Sequence, residues 1–136
     1  MSEIATYPSL KDKIVLITGG ASGIGETIVE NFLQQESKVI FFDKEKELGL
    51  KLVSRLKNYK YKAIFKECDL INIDDLKSKI NEIRKEVGLI SILINNAAND
   101  ERHDIDSVTP EYWDNRMNVN LRHYFFTIQS VYKDMK

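Results

Sequence analysis

Four glycines at positions 19, 20, 23 and 25 interrupt a chain that is apolar just before them and amphipathic just after. The run Ile14-Val-Leu-Ile17 ends at Thr18, and Gly19-Gly-Ala-Ser-Gly-Ile-Gly25 leads into a stretch with helical spacing. A strand, a glycine turn and a helix start, in that order, suit a dinucleotide pyrophosphate. A glycine such as Gly19 can take a positive φ in the tight turn, a missing Cβ lets backbone approach the phosphates, and Gly25 would let the helix sit close to its strand. Unpaired N–H groups and the helix dipole around Ser22, Gly23 and Ile24 favour the negative charge. The next apolar segment, Lys38-Val-Ile-Phe-Phe-Asp43, ends in a carboxylate. A carboxylate about 20 residues after such a turn accepts hydrogen bonds from the adenosine ribose hydroxyls. It also repels a 2′-phosphate, which selects NAD, while the adjacent Lys44 keeps NADP as the alternative. The plainer reading makes Asp43 a polar residue at a strand exit; the glycine turn upstream favours the ribose role.

These residues need a scaffold that brings strand ends together. Strand-like and helix-like segments alternate along the chain. The spacing predicts strands over Ile14–Thr18, Lys38–Asp43, Lys62–Glu67 and Leu89–Ile94. It predicts helices over 23–35, over 45–58 with Leu48, Leu52 and Leu56 as a stripe, and around Leu76, Ile80, Ile83 and Val87. Asn72 or Asp74 caps that third helix, and Gly88 ends it. After a polar stretch from Asn99 to Ser107, Thr109-Pro110-Glu111 opens a last helix with Met117, Leu121, Phe125, Ile128 and Tyr132 on one face. Alternation of this kind makes an α/β fold, a parallel sheet covered on both sides by right-handed crossovers.

The totals bound the function. A chain of 136 residues is one domain, small for a complete two-substrate enzyme. The net charge is −1 with scattered lysines and arginines, so no nucleic-acid partner is expected. The single cysteine, Cys68, leaves no internal disulfide and suits a reducing cytoplasm. The start, Met1-Ser-Glu-Ile-Ala-Thr-Tyr-Pro, lacks a leader pattern, and no membrane span is expected. His103 and His123 have no ligand-spaced partners, so no metal site is expected. Cys68 reads as a small buried apolar residue. Trp113 and Phe125–Phe126 read as packing residues.

Taken together, Thr18-Gly-Gly-Ala-Ser-Gly-Ile-Gly25, Cys68-Asp69-Leu70, Asn95-Asn-Ala-Ala98 and Met117-Asn-Val-Asn120 resemble four ordered motifs of the short-chain dehydrogenases/reductases. The resemblance covers the chain from residue 10 onward. It implies a Rossmann-type doubly wound sheet, truncated after four strands in the order 3-2-1-4. Residues 1–136 would then be the N-terminal NAD(P)-binding part of a domain that continues beyond 136. It implies cofactor contacts from Gly19, Ser22, Gly23, Ile24, Gly25 and Asp43, from Asp69 and Leu70 near the adenine, and from Asn96, Ala97 and Ala98 along the cofactor. Ala98 departs from the family's usual glycine by one methyl group. Asn120 is implied as a member of a catalytic Asn-Ser-Tyr-Lys set whose other three members would lie past residue 136.

Tyr7-Pro-Ser-Leu-Lys11, Asn95 through His103, Tyr112-Trp-Asp114 and Asn118-Val-Asn-Leu-Arg-His123 resemble the sugar-oxidising branch of that family. Its members pass hydride from the anomeric carbon of a xylose-like aldose to NAD(P), leaving a lactone. Asn99, Asp100 and His103 are the candidates for its polar contacts, since buried sugar hydroxyls need partners. Each also fits a solvated loop. Two Tyr-x-x-x-Lys matches, Tyr7/Lys11 and Tyr132/Lys136, lie in the wrong places for the catalytic pair. The 136-residue chain alone is therefore expected to lack redox activity. The rival readings are a stand-alone dinucleotide-binding module and a fragment completed by a partner chain. The complete protein is expected to be a homo-oligomer that uses its last helix.

Overall fold

In the computed structural model, which describes residues 4–136, four segments pair as one parallel sheet. They are β1 (Ile14–Thr18), β2 (Lys38–Asp43), β3 (Ile64–Glu67) and β4 (Ile92–Ile94), in the spatial order 3-2-1-4 expected for the motif set. Met1, Ser2 and Glu3, the head of the segment read for a leader, lie outside the described residues. Val15 stands opposite Val39 on one side and Ile92 on the other, and Ile40 opposite Ile64. The two inner strands are covered on both faces, which is why they read as unbroken apolar runs. Alternate residues feed two cores. Val15, Ile17, Val39 and Phe41 pack beneath α1 (Gly23–Gln34) and α2 (Lys46–Arg55). Leu16, Ile40 and Phe42 pack beneath α3 (Ile73–Glu86) and α5 (His123–Val131). Each such side chain, fully buried, contributes about 2 kcal/mol of transfer free energy.

Where the boundaries depart from the spacing, packing explains it. α2 does not use Leu48, which is 41% exposed. Its inward face is Gly49, Leu52 and Leu56, because the Phe65 ring lies against Gly49, where a Cβ would sit 2.5 Å from the ring. β3 begins at Ile64 rather than Lys62, and α1 ends at Gln34. β4 shortens to Ile92–Ile94, although the Ser91 N–H still reaches the Ile14 carbonyl at 2.9 Å. Asn72 is the cap of α3, its side chain accepting the Asp75 N–H at 3.1 Å. Gly88 ends that segment at φ +131°.

The last helical rod departs most. α4 (Pro110–Met117) starts after Thr109, whose hydroxyl accepts the Tyr112 N–H at 3.1 Å. A π-helical turn, Asn118–Arg122, then widens the rod before α5 continues it. The face it buries is His123, Thr127 and Val131. Met117, Leu121, Phe125, Ile128 and Tyr132 point outward, and so does Trp113. The packing role expected of Trp113 and Phe125 fails here, while Phe126 does pack on the second core. Arg84 fastens the end of the rod. Its Nε donates to both oxygens of Asp134 (3.0 and 2.9 Å), and Nη2 donates to the Ser130 carbonyl. Among the described residues, no helix is long and apolar enough to cross a membrane.

Candidate functional site

The glycine turn is built as its residue types demand. Gly19 sits at φ +66°, and the Gly19 and Gly20 N–H groups both donate to the Phe42 carbonyl (2.8 and 3.2 Å). A Cβ on Gly25 would stand 1.8 Å from the Gly19 carbonyl oxygen, so only glycine lets α1 start this close to the end of β1. Gly23, at φ +58°, has open space around its missing Cβ. Ser22 occupies the cap position of α1 without a capping hydrogen bond from its side chain. The N-terminal end of α1 therefore keeps donors and positive dipole available for an anion.

A second set of contacts binds the exit of β4 to this turn. The buried Thr18 hydroxyl accepts the N–H groups of Asn96 (3.0 Å) and Ala97 (3.1 Å). In return, Asn96 Nδ2 donates to the carbonyls of Thr18 (3.1 Å) and Gly19 (2.9 Å). Ala97 also backs the turn, since a Cβ on Gly19 would meet its Cα at 2.8 Å. Thr18 and Asn96 thus fix the distance between the two central strand ends. The neighbouring Asn95 instead reaches back to the Tyr124 carbonyl (3.4 Å) and leaves its Oδ1 buried without a partner.

At the carboxyl ends of the strands lies a cleft of about 250 Å³. Gly19, Asp43, Asp69, Leu70, Ala98 and Asn99 line it, all six of them candidates from the sequence. Ser22, Gly23, Ile24 and Gly25 form the adjoining helix start, and Asn96 and Ala97 stand behind the wall. Lys44, Cys68, Ile71, Asn115 and Val119 complete the lining. Neither Asn115 nor Val119 was a candidate from the sequence, although Val119 lies within the Met117–Asn120 motif and Asn115 one helical turn before it. Asp43 is more occupied than its position suggests. Oδ2 accepts the Ala21 N–H at 3.0 Å and Oδ1 the Glu45 N–H at 3.0 Å. Each oxygen retains a lone pair for a ribose hydroxyl. The Cys68 N–H donates to the Asp43 carbonyl (3.0 Å) and so sets Asp69 and Leu70 beside it. Burial pushes the Cys68 thiol up to about 12, which keeps it an inert apolar filler.

Asn120 stands in the π turn and does not line the cleft. Its side chain pairs with the Asn99 backbone, Oδ1 accepting the N–H (2.7 Å) and Nδ2 donating to the carbonyl (2.9 Å). The two elements meet through this amide. Asp100 and His103 are exposed and off the cleft wall. His103 stacks on Tyr112 at 4.0 Å. Tyr7 and Lys11 lie at the far end of the sheet, where Lys11 pairs with Glu36 (3.0 Å). Lys136 lies over the Tyr132 ring at 5.6 Å. Neither pair reaches the cleft. His123 is buried with both ring nitrogens unpartnered, and burial lowers its pKa.

The cradle fits a dinucleotide. The positive-φ Gly19, a helix start that no side chain caps, and two carboxylates around one cleft match the chemistry of phosphate, ribose and adenine. The comparisons with known proteins agree in direction. Residues 13–136 match the family profile described as short chain dehydrogenase. The D-xylose 1-dehydrogenase of Caulobacter vibrioides is 44% identical over 97% of this chain and 52% of its own length. The probable galactose dehydrogenase GalD of Rhizobium meliloti is 39% identical over 96% and 51%. The ligand-free aldohexose dehydrogenase of Thermoplasma acidophilum superposes with a TM-score of 0.79 at 35% identity, over 95% of this chain and 46% of that one. The chain spans about half the length of the curated relatives it matches.

Proposed function

The chain belongs to the short-chain dehydrogenase family, and from that premise we propose that it holds NAD(P) and one wall of an aldose site in a sugar 1-dehydrogenase. The observation that carries this reading is the cleft that joins Gly19, Asp43, Asp69 and Ala98 across three strand ends. In this reading the pyrophosphate lies on the start of α1, against Gly19, Ser22, Gly23 and Ile24, with Gly25 permitting the approach. Asp43 receives the ribose hydroxyls, Asp69 and Leu70 flank the adenine, and Asn96, Ala97 and Ala98 run along the rest. A carboxylate at 43 favours NAD, and Lys44 on the same wall leaves NADP as the alternative. When bound, the nicotinamide supplies the acceptor for a two-electron oxidation of a carbinol carbon.

The substrate class rests on the relatives named for xylose, galactose and aldohexose. An aldose loses its anomeric hydrogen and hydroxyl proton and becomes a lactone. Asn99 on the cleft wall would orient sugar hydroxyls, whereas Asp100 and His103 stand off that wall and His103 packs on Tyr112. Asn120 acts in catalysis by holding the Asn99 backbone at the edge of the site. The outward stripe Met117, Leu121, Phe125 and Ile128 supports a homo-oligomer, since a row of half-exposed large apolar residues marks an interaction surface. We place the protein in the cytoplasm, where Cys68 stays a thiol.

Calorimetric titration of the chain with NAD and NADP tests the binding half of the proposal. Saturable binding with NAD the tighter ligand is expected; heats that match buffer dilution for both would overturn it. The sugar half is tested on the protein translated from the whole reading frame that encodes these residues. Lactone formed from D-xylose, D-galactose or D-glucose with equimolar NADH supports it. NAD binding without oxidation of any aldose by that protein favours the stand-alone binding module.

A further inference from the structure

The loop that leaves β4 is fastened to the last helical rod at three successive points. At Asn99 the Asn120 amide holds both backbone groups. At Glu101, Arg116 Nη2 meets the carboxylate at 2.5 Å and the Tyr112 hydroxyl donates to the backbone carbonyl at 3.0 Å. At His103 the imidazole stacks on the Tyr112 ring with centroids 4.0 Å apart and 26° between planes. The Arg116 guanidinium lies over that same ring at 4.8 Å. Tyr112, Arg116 and Asn120 are successive fourth residues, so they form one stripe along the rod. The loop's own turn is closed by Asn99 Oδ1, which accepts the Glu101 N–H at 3.0 Å.

Arg116 is an expensive choice for this task. It uses one nitrogen on Glu101 and leaves Nε and Nη1 buried without partners. Buried donors without acceptors destabilise a fold. A residue kept only for stability at this point would be apolar or bidentate. What the arginine does supply is a fixed location for Glu101, and through the Asx turn for Asn99 on the cleft wall.

We infer that Tyr112 and Arg116 are positioning residues that, with Asn120, clamp the 99–103 loop as a rigid wall for a polyhydroxylated substrate. The inference rests on the aldose reading for the identity of that substrate, and on geometry alone for the clamp. Tyr112 and Arg116 do not line the cleft and reach it only through Asn99, so their loss frees one residue of its wall while the start of α1 and Asp43 keep their contacts.

Hydrogen exchange on the 136-residue chain reads the clamp directly. In Arg116→Met the Asn99 and Glu101 N–H groups are expected to exchange about tenfold faster, the loss of one charge-assisted contact. The Asn96 and Ala97 N–H groups on Thr18 keep their rates, the chain melts no earlier than the parent, and NAD affinity stays within about twofold. Arg116→Lys restores part of the protection, and Tyr112→Phe gives a smaller effect of the same pattern. In the protein from the whole reading frame, Arg116→Met raises the KM for the aldose about tenfold, with kcat and the KM for NAD changing far less. Unchanged exchange at Asn99 and Glu101, or equal acceleration at Asn96 and Ala97, overturns the clamp. An aldose KM that does not move in an active enzyme overturns its substrate role. If the parent oxidises no aldose yet the exchange pattern holds, the sugar reading fails and the clamp stands.

Discussion

Asp43 holds the glycine turn it was expected merely to face: its Oδ2 accepts the Ala21 N–H at 3.0 Å. The same carboxylate thus shapes the glycine turn and, in the proposed function, offers lone pairs to the ribose. Asp43→Ala should cost stability as well as affinity. We expect about 1.5–3 kcal/mol from each charged hydrogen bond lost, before relaxation. NAD should bind at least about tenfold more weakly. Urea unfolding and calorimetry on one preparation measure the two together. A variant with full stability and full affinity would remove Asp43 from both roles.

Thr18→Val keeps shape and burial but removes the acceptor shared by the Asn96 and Ala97 N–H groups. Two part-buried donors are then left without partners, at about 1–3 kcal/mol each. A urea midpoint shift equivalent to about 3 kcal/mol is expected. A loss under about 0.5 kcal/mol would mean that β4 and β1 are held by backbone pairing alone.

Gly23 and Gly25 separate two reasons for glycine. Gly23→Ala meets open space and pays only for its left-handed backbone, about 1–2 kcal/mol. Gly25→Ala drives a methyl group into the Gly19 carbonyl and the Asn96 amide, so the start of α1 must move. Thermal melts should show a modest loss for the first and a severe one for the second, with NAD binding weakened at both, at Gly23 because the methyl enters the space proposed for the pyrophosphate. The reverse order would contradict the turn as described.

Stability should fall as the solution is acidified from neutrality, before the carboxylates titrate. Burial lowers the His123 pKa from its ordinary value of 6.5. The unfolded chain therefore takes up a proton near pH 6.5 that the folded chain refuses. The stabilisation is complete above that pH and is lost progressively as pH falls toward the depressed folded value. His123→Leu should flatten the slope of melting temperature between pH 7.5 and 5.5. An unchanged slope would assign it to other groups.

Much of the cradle was legible because its parts are local. Gly19 and Gly25 announce a turn and a close approach by type alone, and Asp43 and Asp69 follow strands whose ends share one edge in any parallel α/β sheet. The Thr18 acceptor was not legible, because it depends on a hydrogen bond between residues 78 apart. Helical periodicity located the stripe Met117, Leu121, Phe125 and Ile128 but not its direction. The buried side of that rod is His123, Thr127 and Val131, polar or short enough to lie close to the sheet. Asp100 and His103 looked equivalent to Asn99 as polar loop residues. Only the clamp from Tyr112, Arg116 and Asn120 distinguishes which of them reaches the cleft.

The strand order has a consequence for how the site comes into being during synthesis. β4 is made after β1, β2 and β3, yet it inserts beside β1. Until the segment from Asn95 onward has left the ribosome, the glycine turn has no Asn96 to bridge its carbonyls and no Ala97 behind Gly19. Closure over such separations is slow compared with helix formation. Until then the nascent chain carries a glycine turn without a rigid back wall. In the proposed reading, a dinucleotide meets the finished cradle only after β4 has found β1.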